Sequence, residues 1–260
     1  MSDPKEIRRT ARIAGIFYLA LGLTGMFSIM IVFQQLVIPG DMEATIANIT
    51  TSGSLYRLGF AGNIASQIIF LVLAIMLYRL FVHVDKTQAR LLVALVVASV
   101  PVTFIAMLAY LAPTIILNNP GYLAAFNHEQ LKSLAMIFLD IHRMAFQMVE
   151  IFWGLWLLPL GILIIKSRFF PSVLGILEFA GCFGYVLAFL VKFLLPDGSP
   201  VLELIAKIAV FGEIPFMLWL IILGARFPES IGKDQETTGQ ATMAHSQAVE
   251  SPGGLSQQPQ

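Results

Sequence analysis

From Leu91 to Leu117 the chain reads LLVALVVASVPVTFIAMLAYLAPTIIL, and 38 residues without a formal charge separate Arg90 from Glu129. A bilayer core about 30 Å thick is crossed by roughly 20 apolar residues, because each helical residue rises ~1.5 Å. This run is long enough and apolar enough to cross, and it is not alone. There are 28 uncharged residues between Arg12 and Asp41, and 21 between Arg57 and Arg79. Of the 260 residues, 57% are hydrophobic and 12% charged, about half the charged share of a soluble domain. The expectation is an all-α, polytopic membrane helix bundle.

Punctuation along the chain divides it into six spans, at about 13–37, 58–82, 91–117, 134–165, 170–195 and 204–225. Pro39-Gly40, Asn118-Asn119-Pro120-Gly121, Lys166-Ser167-Arg168 and Pro196-Asp197-Gly198 separate them, and Arg226 with Pro228 closes the last. Residues 41–50 suit a short exposed helix. Pro101 and Pro113 fall inside span three, where neighbouring helices can re-satisfy the carbonyls that proline frees. Asn127 with Gln130 reads as a capping box. A helix from there to Ile165 is about 57 Å long, so its first turns must project beyond the bilayer or break from it. Residues 1–12 form a basic cytoplasmic lead-in and 13–226 the membrane domain. Residues 227–260, rich in Gln, Ser, Gly and Thr, read as a disordered cytoplasmic tail. The basic start also resembles a signal peptide, but no A-x-A-like cleavage site follows its long apolar stretch, so a retained first helix is expected.

Lysine and arginine set the orientation. With the N-terminus inside, cytoplasmic segments hold Lys5, Arg8, Arg9, Arg12, Arg79, Lys86, Arg90, Lys166, Arg168, Arg226 and Lys233, and outer loops hold Arg57 and Lys132. That asymmetry predicts cytoplasmic N- and C-termini.

Spans one to three have essentially clean interiors, with Arg79 at the end of span two, whereas spans four to six carry Asp140, Arg143, Glu150, Glu178, Lys192, Lys207 and Glu213. Each costs ~2.5–3.5 kcal/mol at the bilayer centre, so it must be paired, hydrated, neutralised or near the headgroups. In span four Asp140, Arg143, Gln147 and Glu150 follow one another at spacings of three, four and three, one stripe on one helix face. The stripe makes Asp140 a partner for Arg143, and Arg143 the expected cationic neighbour of Glu150, directly or through Gln147. In span five Glu178, Cys182, Tyr185, Phe189 and Lys192 share a face. Glu213 has no partner on its own helix. With the balanced charges of Arg57, Lys192, Glu203 and Lys207, these residues suggest an outward-opening polar site built from spans four to six. The candidate site residues are Asp140, Arg143, Gln147, Glu150, Lys207 and Glu213. The bland alternative is that outer charges snorkel and inner ones fix helix register.

Sixteen basic residues balance sixteen acidic ones, so no bulk field attracts nucleic acid. Cys182 is the single cysteine, and His83, His128, His142 and His245 show no metal-ligand spacing. No G-x-S-x-G, H-E-x-x-H or P-loop pattern occurs, so no catalytic residue, metal or cofactor is assigned and an enzyme is disfavoured. Gly59-x-x-Gly62 and Ala180-x-x-x-Gly184 permit close helix approach.

Three blocks carry a further signal: EIFWGLWLLPLG from Glu150 to Gly161, KSRFFPSVLGIL from Lys166 to Leu177, and GEIPFMLWLIILG from Gly212 to Gly224. Over about residues 8–226 the chain resembles a bacterial membrane family catalogued as domain of unknown function 4386. The resemblance implies six helices in a bacterial cell (inner) membrane and brings no activity. It places Glu150 and Glu213 inside the matching blocks. The expected partners are the lipid bilayer and a small-molecule or proton ligand, with homo-oligomerisation left open. Two functional readings stand: a transporter-like or ligand-binding protein, and a non-catalytic assembly component whose buried charges fix packing.

Overall fold

The computed structural model describes residues 4–118, 121–195 and 198–225. The tail 227–260 lies outside the described residues, as do Asn119, Pro120, Pro196, Asp197, Arg226, Pro228 and Lys233 of the segment boundaries and charge pattern. What is described is helical, and six helices are long and apolar enough to cross a membrane: 5–36, 53–81, 86–117, 128–167, 172–194 and 200–222.

Span one comprises α1 (Pro4–Met26), a wider π-helical stretch (Phe27–Phe33) and the short α2 (Gln34–Leu36). The surface helix α3 (Met42–Thr51) starts at Asp41, whose carboxylate accepts from the Ala44 N–H at 2.9 Å. Spans two and three are α4 (Gly53–Phe81) and α5 (Lys86–Leu117), and α5 runs unbroken through Pro101 and Pro113. Asp85 caps α5 through the Thr87 and Gln88 amides and meets Lys166 at 2.7 Å. The Lys166 ammonium holds the Asp85 carboxyl below its usual range.

Span four is α6 (His128–Leu155) followed by α7 (Leu157–Ser167), with a turn at Trp156 between them. The Asn127–Gln130 capping box opens α6, both of its hydrogen bonds at 2.9 Å. The first turns do not break from the helix: the turn at Trp156 comes after them, and α6 is continuous for 28 residues. Its first turns are roofed by α3: Ile46 packs with Ile116, Leu131 and Ala135, and Lys132 pairs with Glu43 at 2.8 Å. Span five is α8 (Ser172–Leu194), and span six is α9 (Pro200–Val210) plus α10 (Glu213–Ile222).

Short connections make sequence neighbours antiparallel neighbours in space. α1 packs on α4, α4 on α5, α5 on α6, α6 and α7 on α8, and α8 on α9, and the ring closes where α10 packs back on α1. Glycine permits the closest approaches. A Cβ on Gly15 would lie 2.8 Å from the Ile221 backbone, one on Gly62 2.2 Å from Ser28 Oγ, and one on Gly184 2.8 Å from the Ala206 carbonyl. Spans two and three are clasped by stacked Tyr56 and Tyr110 rings, centroids 4.2 Å apart, each hydroxyl donating to the other residue's carbonyl. Trp156 is 2% exposed, edge-on to Tyr18 of span one and Phe70 of span two.

Candidate functional site

Three of the six spans lose regular α geometry part-way along their length. Span one widens into π turns at Phe27–Phe33. In span four Pro159 has no N–H for the Leu155 carbonyl, and the next bond, Leu160 N–H to Trp156, is stretched to 3.4 Å. In span six the N–H groups of Phe211, Gly212 and Ile214 turn back to carbonyls three residues earlier, at 3.2, 2.9 and 3.2 Å, because Pro215 cannot continue the α ladder. Glu213 is the first residue after that break.

These irregularities border one cavity of about 520 Å³. Residues 18–29 of span one form one wall and residues 210–217 of span six the facing one. Asn63, Ser66, Gln67 and Phe70 of span two, Trp153 and Trp156 of span four, and Tyr185 of span five complete it. The walls are chiefly apolar, with polar groups converging on Glu213. The Tyr18 hydroxyl donates to Glu213 Oε2, and the Tyr185 hydroxyl interacts with the same carboxyl. Glu178, Gly181 and Tyr185 lie on one face of α8, spaced three and four apart. A Cβ on Gly181 would sit 3.6 Å from Glu213 Cγ, an ordinary packing distance that places the glutamate against this face of α8. Glu178 is 0% exposed, both its oxygens lack a hydrogen-bond partner among the described residues, and it is within electrostatic reach of Glu213.

A second cavity, about 490 Å³, lies beyond the first toward the ends of spans one and five, and the two share Ile29 and Asn63. Gln34, His142, Arg143, Gln147, Glu150 and Lys192 give it a polar wall. Lys192 reaches across from α8 to Glu150 of α6 at 3.0 Å. Arg143 bonds Asp140 at 3.4 Å, one turn back on its own helix. The expected Arg143–Glu150 pairing is therefore corrected: two helical turns separate them, and Lys192 on the adjacent helix takes the position. His142 Nδ1–H donates to the Ala106 carbonyl at 2.9 Å among the rings of Phe33, Tyr110 and Phe146.

Of the six candidates, Arg143, Gln147 and Glu150 line the second cavity and Glu213 the first. Asp140 is exposed beside Arg143, and Lys207 is exposed on α9 and lines neither cavity. The confinement to spans four to six is also corrected, since spans one and two supply much of the wall around Glu213. Tyr18, Gln67 and Tyr185 were missed by the charge-based reading. The spacing of Asn63, Ser66 and Gln67, three polar residues on one face of an apolar span, was the available signal. Among the described residues, no group of three His, Cys, Asp or Glu side chains could hold a metal ion.

A family model described as "Domain of unknown function (DUF4386)" matches residues 13–224. An uncharacterized protein of Archaeoglobus fulgidus is 36% identical over 81 residues, 31% of this chain and 47% of that protein. The chain thus spans just under half the length of this curated relative. No solved structure matches.

Proposed function

The chain belongs to the family described as Domain of unknown function (DUF4386), whose description assigns no chemistry, and from that premise we propose that it is a transporter-like membrane protein that binds a small amphipathic ligand at Glu213. In this reading it sits in a bacterial cell membrane with both termini cytoplasmic. The cavity holding Arg143, Glu150 and Lys192 then faces outward, and the Glu213 cavity lies beneath it at mid-depth.

One observation carries the proposal: a carboxyl at the break of a discontinuous helix, on the wall of a 520 Å³ cavity. Interrupted backbone is tolerated at membrane depth where it is buried in protein or lines a cavity, and transporters build midplane sites from broken helices. π turns inside α-helices also concentrate at functional sites. The mainly apolar wall with a few convergent polar groups is the usual chemistry of a small-molecule site. The assembly reading draws support from the Lys192–Glu150 and Lys132–Glu43 pairs, which tie separate helices together. It gives no role to the cavity.

Gly22 and Gly25 supply the test. Both line the cavity, and a Cβ at either meets nothing within 4 Å. Gly22→Leu and Gly25→Leu should fold normally and fill the site. A screen of amphipathic compounds against purified protein should raise the Tm of the wild type, since ligand binding to the folded state stabilises it. The same compounds should leave the filled variants unmoved. Hits that stabilise wild type and filled variants equally would sink the cavity reading.

A further inference from the structure

We propose that the Glu213 cavity takes a lipophilic cation, admitted sideways between spans one and six, in exchange for a proton held by the Glu178–Glu213 pair. The inference rests on the ligand-binding reading above and names its substrate class.

Charge balance is the first argument. No Lys, Arg or His is found among the described residues lining this cavity. The charged and titratable groups facing Glu213 are Tyr18 from α1, Glu178 and Tyr185 from α8, with Cys182 next to them on α8 and Glu150 of α6 near Tyr185. Span two contributes only the neutral Asn63, Ser66 and Gln67. Glu150 is already answered by Lys192 at 3.0 Å, so among the described residues the Glu178–Glu213 pair has no cation of its own. An ionised carboxylate at this depth needs a countercharge, which is a bound proton or the positive group of a ligand.

The walls supply the second argument. Phe70, Trp153, Trp156, Tyr18 and Tyr185 line the same cavity as the carboxyl, and aromatic rings in a cavity with a carboxylate favour a cation with apolar substituents. Gln67 Oε1, on a side chain 3% exposed, also lines the cavity without a hydrogen-bond partner among the described residues. It is an acceptor, of the polarity a cation needs.

The rim supplies the third. α1 packs on α4 and α10, while α9 packs on α8. Above the Gly15 contact the two spans part, and Leu19, Leu23 and Met26 face Phe211 and Ile214 across the opening, all between 38% and 65% exposed. In a bilayer that apolar rim meets lipid, so a lipophilic cation adsorbed to the membrane can reach the cavity sideways.

The exchange balances simply. At rest each carboxyl holds a proton and the pair is neutral. The cation binds against Glu213, one proton leaves to water, and the pair then carries one negative charge that the ligand answers. Glu178 keeps its proton throughout.

The experiment uses the full chain in lipid nanodiscs, with tetraphenylphosphonium as cation, tetraphenylborate as anion and triphenylphosphine oxide as neutral probe. Gly22→Leu nanodiscs give the background of partition into lipid. Tetraphenylphosphonium should bind above background, with its Kd falling about tenfold per unit rise in pH while Glu213 is protonated in the free protein and levelling off above that, as release of one proton requires. Glu213→Gln should lose most of the binding, and Glu178→Gln should keep both the binding and its pH slope. Equal binding at every pH, or equal binding of the anion, overturns the cation–proton proposal and leaves the cavity reading standing. Binding of none of the three probes above background overturns the cation proposal, and an empty amphiphile screen as well would take the ligand-binding reading with it. Should Glu213→Gln not fold, the wild-type pH slope and the cation–anion comparison decide by themselves.

Discussion

Lys192 of α8 and Glu150 of α6 meet at 3.0 Å with side chains 41% and 20% exposed, so neither end of the pair is fully desolvated. Breaking an exposed pair costs ~0–1 kcal/mol and stranding one charge of a buried pair ~3–5 kcal/mol. Glu150→Gln should therefore lower stability by roughly 1–2 kcal/mol, as Lys192 loses its carboxylate. Adding Lys192→Met should recover most of that loss. Arg143→Leu should recover none, because Arg143 is engaged with Asp140 at 3.4 Å. Thermal unfolding of the wild type and the three variants in one detergent decides between the partners, and rescue by Arg143→Leu would reverse the assignment. The sequence showed the stripe that holds Asp140, Arg143 and Glu150, since residues three and four apart on a helix are neighbours by geometry. It could not show Lys192, whose approach depends on how α8 leans on α6. A same-helix candidate always looks nearer on paper than a cross-helix one.

The same limit runs through the elements. Span number and the capping box were legible because hydrophobic run length and cap chemistry are local properties. The breaks at Trp156 and Gly212 were half legible. Pro159 and Pro215 stand in the quoted blocks, but whether a proline kinks a helix or ends it depends on what neighbours offer the freed backbone: α5 runs through Pro101 and Pro113 without stopping, whereas span six breaks at Phe211–Gly212 and leaves Pro215 in the first turn of α10. Gly212 shows what holds that break in place. A Cβ there would lie 2.4 Å from the Leu177 carbonyl oxygen of α8, a backbone atom that cannot rotate away. Gly212→Ala should push span six off α8 and cost about 1–3 kcal/mol, the range for overpacking. Gly22→Ala, with open space around its added methyl, should be neutral or stabilising by up to ~1 kcal/mol from helix propensity. Paired melting curves check the contrast. Equal Tm values for the two alanine variants would mean that α8 and span six are not in contact at Gly212.

At the scale of the whole molecule the question is which end of the ring faces the cytoplasm. The end carrying the start of α1 also carries Arg79, Lys86, Arg90, Lys166 and Arg168, and the opposite end carries Arg57 and Lys132. Lys132 is moreover neutralised by Glu43 and Glu129, at 2.8 and 3.0 Å, so the far end is poorer in free positive charge than the count suggests. Positive loops resist translocation, which sets the proposed orientation with the basic end inside. The orientation decides how the two cavities are used. With the far end outside, the Glu150–Lys192 cavity is an extracellular vestibule above the Glu213 cavity, and protons reaching Glu213 through it come from the more acidic side of an energised membrane. With the ring inverted, the vestibule would open to the cytoplasm, while the direction of exchange would still follow the proton gradient. Reporter fusions after Ser230 and within the 82–85 connection should be active with a cytoplasmic reporter and silent with one that works only after export. Fusions in the 121–127 connection should give the opposite pattern. Because six spans bring the chain back to its starting side, the Ser230 and 82–85 fusions must agree with each other whichever way the bundle lies. Disagreement between them would overturn the span number, and agreement with the opposite sign would overturn the orientation while leaving the ring intact.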